Sequence, residues 1–201
     1  MANQEICSPE ATFVEMEVIQ VLPSRIRVLV PSIMEHYSIR SAMAWISLGE
    51  HNVIRVPVDA DFHMDQEALK RIIDQERDLG NNILACVAYV GDSRSMQIDD
   101  LDTLAQILEE KGIWFHVDAC HGSQLAFSEQ HRYKLRGIEK ADSITIDPHK
   151  TMLVPYNCSL VLFREPSTQT ALSTNSDLIL NTQWPLGRIS PFIGSKAFDA
   201  R

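Results

Sequence analysis

Residues 141–150 read Ala-Asp-Ser-Ile-Thr-Ile-Asp-Pro-His-Lys, a short β-branched run that ends in a histidine and a lysine. β-Branched side chains fit a pleated strand, and Pro148 cannot continue the hydrogen-bond ladder of a central strand. The pattern therefore predicts a strand over 143–147, with Lys150 just beyond its carboxyl end. In open parallel α/β sheets, ligands bind at that end of the strands.

Lys150 is a candidate reactive lysine. A protonated lysine is a poor nucleophile, but partial burial beside a second titratable group, here His149, is expected to lower its pKa and free its amine for a Schiff base. Taken alone, the stretch fits a surface lysine after a strand better, because most lysines are exposed. A second motif upstream favours the reactive lysine.

This second motif covers residues 113–122, which read Ile-Trp-Phe-His-Val-Asp-Ala-Cys-His-Gly. The apolar part predicts another strand, and it ends in the carboxylate of Asp118, which then faces the same ligand-binding edge as Lys150. Pyridoxal phosphate needs a lysine for its aldehyde and a carboxylate that keeps its ring nitrogen protonated. The two motifs together predict a site for this cofactor.

With these motifs the chain resembles the pyridoxal-phosphate-dependent group II amino-acid decarboxylases, which include the aromatic, tyrosine, aspartate and glutamate decarboxylases. The resemblance assigns the cofactor lysine to Lys150, preceded by His149 in an Asp/Asn-Pro-His-Lys motif. It assigns the acid that pairs with the pyridine nitrogen to Asp118, and it places Ala119 against the ring. A further histidine of the family, which stacks on the other face of the cofactor, matches His36 in Glu-His-Tyr-Ser-Ile.

The resemblance implies a carboxy-lyase that decarboxylates a small amino acid with pyridoxal 5′-phosphate. It also implies a homodimer, or a heterodimer with a full-length relative. Two alternatives stay open at this level. One is a non-catalytic or truncated relative that dimerises with an intact subunit. The other is a different pyridoxal phosphate reaction, such as desulfuration, aldol-type cleavage or transamination.

Three departures from the family pattern qualify the expected domain. Family members carry a long insert whose Gly-Gly-Thr/Ser turn holds the phosphate at a helix N-terminus, where this chain has only a few residues near 23–25. The small C-terminal domain of the family is also missing from residues 1–201, which are therefore expected to form an incomplete large domain. Finally, Gly91-Asp92-Ser93 replaces Gly-Thr-Thr. An anion near a phosphate-bearing cofactor would repel it, but the Asp92 side chain could instead point to solvent, so its role stays open and it is not counted as a site residue.

Apolar strands alternate with amphipathic helices along the chain, which predicts a mainly parallel sheet flanked by helices. The resemblance identifies it with the large domain of fold-type I, the aspartate-aminotransferase type. Strands are predicted at 26–30, 53–58, 83–90, 113–118, 143–147 and 159–163. Helices are predicted at 11–22, at 38–48, at 65–79 and from the acidic residues 99–102 to Gly112.

Composition limits the possible partners and location. The chain has 201 residues, a hydrophobic content of 45% and a net charge of −9, which predicts one domain and no binding to nucleic acid or anionic membranes. The N-terminus lacks a signal-peptide pattern, and no run approaches the ~20 apolar residues of a membrane span. The expected location is therefore the cytoplasm.

No metal site is predicted. The four cysteines lie far apart without a Cys-x-x-Cys pair, so neither a zinc cage nor a disulfide framework is indicated. One cluster in the second motif contains competent ligands, but the cofactor interpretation of the same residues is favoured over a metal. Its members are His116, Asp118, Cys120 and His121.

Overall fold

The computed structural model describes residues 25–33, 37–156 and 158–168, which contain a six-stranded sheet. The chain divides into two units, 1–162 and 163–201. The predicted helix over 11–22 and His36 lie outside the described residues. The strands are β1 (Ile26–Pro31), β2 (Val53–Val56), β3 (Asn82–Tyr89), β4 (Trp114–Asp118), β5 (Ser143–Ile146) and β6 (Leu160–Phe163). The α-helices among these residues are α1 (Tyr37–Trp45), α2 (Gln66–Asp78), α3 (Leu101–Lys111) and α4 (Pro148–Thr151).

The strand order is β2-β1-β3-β4-β5-β6. The four neighbouring pairs from β2 to β5 are all parallel, which confirms the predicted mainly parallel sheet. Asp118 in β4 lies opposite Tyr89 of β3 and Thr145 of β5. The carboxyl ends of β3, β4 and β5 therefore meet at one edge of the sheet.

Helices cover both faces of the sheet. The larger hydrophobic core packs the apolar sides of α2 and α3 against alternate residues of β4, namely Phe115 and Val117. A smaller cluster on the other face joins Val28 and Val87 to Met43 of α1. Because side chains alternate between faces along a strand, neighbouring residues of one strand serve different cores.

The ends of α2 and α3 follow the capping signals of the sequence. Asp65 accepts a hydrogen bond from the amide of Ala68 at 2.9 Å, and Asp100 accepts one from the amide of Thr103 at 3.2 Å. Gly112 follows α3 with φ of 62°, a left-handed conformation that glycine adopts without strain. The predicted helix start in the acidic segment and its end at Gly112 are confirmed.

Two elements end two or three residues earlier than predicted. The helix expected over 38–48 ends at Trp45, because Ser47 adopts a left-handed φ of 63°. The strand expected over 53–58 ends at Val56, since Pro57 has no amide to donate to a ladder. Among the helices of the described residues, none combines the length and the apolar character needed to cross a membrane.

Leu108 in α3 provides a test of the larger core. Its side chain is fully buried, so Leu108→Ala is expected to lower the free energy of unfolding by about 2–5 kcal/mol through lost burial and a residual cavity. The matched control is Leu79→Ala, because Leu79 is 72% exposed and its truncation should change stability by only about 0.5 kcal/mol. Urea unfolding followed by circular dichroism measures both. Equal losses for the two variants would contradict this description of the core.

Candidate active site

The carboxyl edge of the sheet contains a narrow crevice. It brings Lys150, which follows β5, together with Asp118, which ends β4, as the sequence predicted. His36 lies outside the described residues, so its expected stacking position stays a prediction. The crevice is lined by Tyr89, Gly91, Asp92, Ser93, Asp118, Cys120, His121 and Lys150.

The position of Lys150 is set by the short helix α4, where the sequence predicted only a chain beyond a strand. The amide of Lys150 donates to the carbonyl of Asp147 at 2.9 Å, which closes one helical turn. That turn places the two side chains on one face, because residues three apart on a helix are neighbours. Lys150 Nζ lies 2.9 Å from Asp147 Oδ2, and the two side chains are 28% and 15% exposed.

The charge state of Lys150 differs from the expectation. Burial lowers its pKa, but the hydrogen bond to Asp147 and the negative charges of Asp147 and Asp118 outweigh burial, and the pKa is raised overall. The prediction of a pKa lowered by burial beside His149 is therefore wrong. A carboxylate three residues away holds the proton on the amine.

His149 points its ring at the chain that follows α4. Its Nδ1 lies 2.6 Å from the carbonyl oxygen of Cys158, so Nδ1 is the protonated nitrogen and donates to that carbonyl. The ring also packs on Tyr156, with centroids 4.7 Å apart. In this structure His149 connects α4 to the segment that leads into β6.

Asp118 is held at the end of β4 by its neighbours on both sides. Its carbonyl accepts from the amide of Val90 at 2.9 Å, and its Oδ1 accepts from the amide of Cys120 at 3.1 Å. The next residue, Ala119, donates its amide to the carbonyl of Thr145 at 3.0 Å and is fully buried in the core. The predicted contact of Ala119 with a cofactor ring stays a prediction.

Cys120 is a residue of the site that sequence reasoning did not single out for the cofactor. Burial raises the pKa of its thiol, and Asp118 and Asp147 raise it further. The thiol therefore stays protonated and lies within hydrogen-bonding reach of both carboxylates. The sequence shows that Cys120 lies two residues after Asp118, but it does not show that Asp147 also comes close to Cys120.

Asp92, which was left out of the predicted site, is engaged by its own turn. Its Oδ2 accepts from the amides of Arg94 at 3.0 Å and Ser95 at 2.8 Å, and from the Ser95 hydroxyl at 3.1 Å. These donors compensate the negative charge of a side chain that is almost fully buried. Asp92 therefore stabilises the loop after β3 beside the crevice.

The ring of His116, a member of the alternative metal cluster, lies within hydrogen-bonding distance of two hydroxyl groups. Its Nδ1 lies 2.8 Å from Ser143 Oγ, and its Nε2 lies 3.4 Å from Thr145 Oγ1. Burial lowers the pKa of His116 more than the charge of Asp118 raises it, so the pKa is lowered overall. Within the described part of the chain, no group of three or more His, Cys, Asp or Glu side chains is arranged to hold a metal ion.

The chain is similar in sequence to known pyridoxal-dependent decarboxylases. The model of the pyridoxal-dependent decarboxylase conserved domain matches residues 11–182. The chain is 35% identical over 168 residues to an L-aspartate decarboxylase of Metarhizium robertsii, a match that covers 81% of this chain. It is also 35% identical over 152 residues, or 76% of its length, to an L-2,4-diaminobutyrate decarboxylase of Rhizobium meliloti.

A solved structure shows the same fold. It is the glutamate decarboxylase domain of a diaminobutyrate-pyruvate transaminase and L-2,4-diaminobutyrate decarboxylase from Vibrio parahaemolyticus, which matches with a TM-score of 0.71 and 31% identity over 75% of this chain. The predicted fold class is confirmed. The matches span only 34%, 30% and 32% of the lengths of these three proteins.

Proposed function

Because the chain belongs to the pyridoxal-dependent decarboxylase family, we propose that it forms the cofactor-binding part of an enzyme that decarboxylates a small amino acid. The family description confirms the predicted cofactor class and the predicted group of decarboxylases. The observation that carries the proposal is that Lys150 and Asp118 line one crevice at the carboxyl edge of the sheet.

The chemistry of the crevice fits pyridoxal phosphate. Lys150 is partly exposed, so its amine can reach an aldehyde from the crevice. Asp118 presents a carboxylate at the end of a strand, where a ring nitrogen can be held in its protonated form by a charge-assisted hydrogen bond. The hydroxyl of Ser93 and the backbone around Gly91 are further polar groups on the crevice wall.

Each residue then has a definite role. When bound, the cofactor supplies an electron sink for the electron pair that departing carbon dioxide leaves behind. Lys150 holds the aldehyde carbon, and Asp118 keeps a proton on the ring nitrogen. By resemblance, Ala119 and His36 flank the ring on its two faces, and His149 belongs to the cofactor-binding set by keeping α4 in place.

The proposed assembly is a homodimer, or a heterodimer with a full-length relative. It is supported by β6, where the successive apolar residues Leu160, Val161 and Leu162 are 48%, 51% and 47% exposed. Consecutive strand residues face opposite sides, so both sides of this strand present apolar surface. Burial of exposed apolar surface of this kind against a partner favours association.

Turnover is the direct test. The chain is supplied with pyridoxal phosphate and a panel of acidic, aromatic and diamino acids, alone and mixed with a full-length relative whose own cofactor lysine has been replaced. Release of carbon dioxide with the matching amine is the expected result. Formation of a keto acid would instead support transamination, and turnover by neither sample would support the non-catalytic alternative.

A further inference from the structure

Asp147 lies at the junction of β5 and α4, and the proposed function gives it no role. Its Oδ2 is 2.9 Å from Lys150 Nζ. The hydroxyl of Ser159 and the thiol of Cys120 also lie close enough to this carboxylate to lower its pKa as hydrogen-bond donors. Three donors from three different segments of the chain therefore converge on this one side chain.

These contacts keep Asp147 ionised. Burial raises the pKa of its carboxyl, but the hydrogen bonds from Ser159, Lys150 and Cys120 outweigh burial and lower the pKa to about 2. At any pH where the protein is expected to work, a fixed negative charge therefore stands beside the amine of Lys150. The side chain is only 15% exposed, so solvent screens this charge less than that of a surface pair.

The geometry points to Asp147 as a positioning residue for Lys150: its carboxylate holds the side-chain ammonium at the crevice and opposes loss of the proton that must leave before the amine can attack a carbonyl carbon. The carboxylate of Asp118 acts in the same direction and also favours the ammonium form. Asp92 and His121 line the same crevice as Lys150.

Asp147 acts on the loss of one proton from Lys150. Lys150 passes one ammonium proton to solvent, and its free amine would then be able to form a C=N bond with an aldehyde carbon, whose oxygen would leave as water. Only the first event depends on the contact with Asp147. The importance of this step for cofactor uptake rests on the proposed function, but the state of the ammonium group can be measured without the cofactor.

The pH profile of Lys150 acetylation tests the inference in the cofactor-free chain. Acetylation by an N-hydroxysuccinimide ester is followed at each lysine by mass spectrometry. The Lys150 midpoint in the wild-type protein is expected above the usual lysine value. In Asp147→Asn the midpoint should fall, and the free-amine fraction at neutral pH should rise about tenfold for each unit of the fall.

Two variants separate positioning from a structural role. Asp147→Glu retains the negative charge and should restore a high Lys150 midpoint. Asp74→Asn removes a matched carboxylate, which is 2.7 Å from Lys111 Nζ on another part of the chain, and should leave the Lys150 midpoint unchanged. Circular dichroism shows whether each variant is folded.

A second measurement uses the cofactor. Attachment of pyridoxal phosphate to Lys150, trapped with borohydride, should begin at lower pH in Asp147→Asn than in the wild-type chain. A wild-type midpoint at or below the usual lysine value, or an unchanged midpoint in folded Asp147→Asn, overturns the inference. If Asp147→Asn does not fold, the acetylation midpoint of Lys150 in the wild-type chain alone decides whether the inference holds. Absence of decarboxylation would count against the proposed function and leave the acetylation result valid.

Discussion

Lys150→Ala is expected to abolish decarboxylation. If Lys150 has the proposed role, the variant has no amine to hold the cofactor covalently, and it loses a proximity contribution that corresponds to effective molarities of about 10⁵ M or more in well-oriented reactions. Turnover should therefore fall by about 10⁵-fold or more in the active chain or dimer. The fold should persist, because the Lys150 side chain is 28% exposed and belongs to no core cluster of the described residues.

Peptide mapping identifies the lysine directly. After borohydride reduction with pyridoxal phosphate, the wild-type chain should carry the pyridoxyl label on Lys150, and Lys150→Ala should carry none. The control is Lys70→Ala, which removes an exposed lysine that pairs with Glu67 on α2 and should retain both label and turnover. A label on another lysine of the wild-type chain would refute the assignment.

Asp118→Asn is expected to lower turnover by about 10²- to 10³-fold, the usual loss when one preorganised electrostatic group is removed from an active site. The amide keeps an oxygen that can accept from the Cys120 amide, as Asp118 Oδ1 does at 3.1 Å. The negative charge is lost, however, and in the proposed role of Asp118 this charge is what would keep the cofactor ring nitrogen protonated near neutral pH. The cofactor should still attach to Lys150, so the loss should appear in kcat.

A matched substitution distinguishes this electronic role from simple capping. Asp142 also accepts from a backbone amide, that of Phe115 at 2.8 Å, and Asp142→Asn should leave turnover unchanged. Asparagine caps backbone amides about as well as aspartate. If Asp118→Asn also retained wild-type turnover, Asp118 would be a structural cap, and another group would have to protonate the ring.

Much of the fold follows from local signals in the sequence. The strand of 143–147 was predictable because Ile144 and Ile146 flank a β-branched threonine before Pro148, and α3 because acids precede it and Gly112 follows it. The meeting of Asp118 and Lys150 was also predictable. Each follows an apolar strand, and parallel strands bring their carboxyl ends to one edge.

The charge state of Lys150 was not predictable in the same way. The expectation considered burial and the adjacent His149, whereas the structure turns His149 to the Cys158 carbonyl and brings Asp147 to the amine. A signal existed, because proline often begins a helix and residues three apart on a helix are neighbours. This signal predicts the contact between Asp147 and Lys150 only if α4 forms. The helix α4 has only four residues.

The sequence by itself determined the strands, most helix ends and the two chemical groups at the sheet edge, because hydrophobic periodicity, capping and β-branching act over a few residues. Tertiary structure alone decided the order β2-β1-β3-β4-β5-β6 and the approach of Cys120 and Ser159 to Asp147. These contacts join segments that are distant along the chain. These contacts depend on long-range packing and on the balance between desolvation and charge. A pattern of neighbouring residues in the sequence gives no information about either.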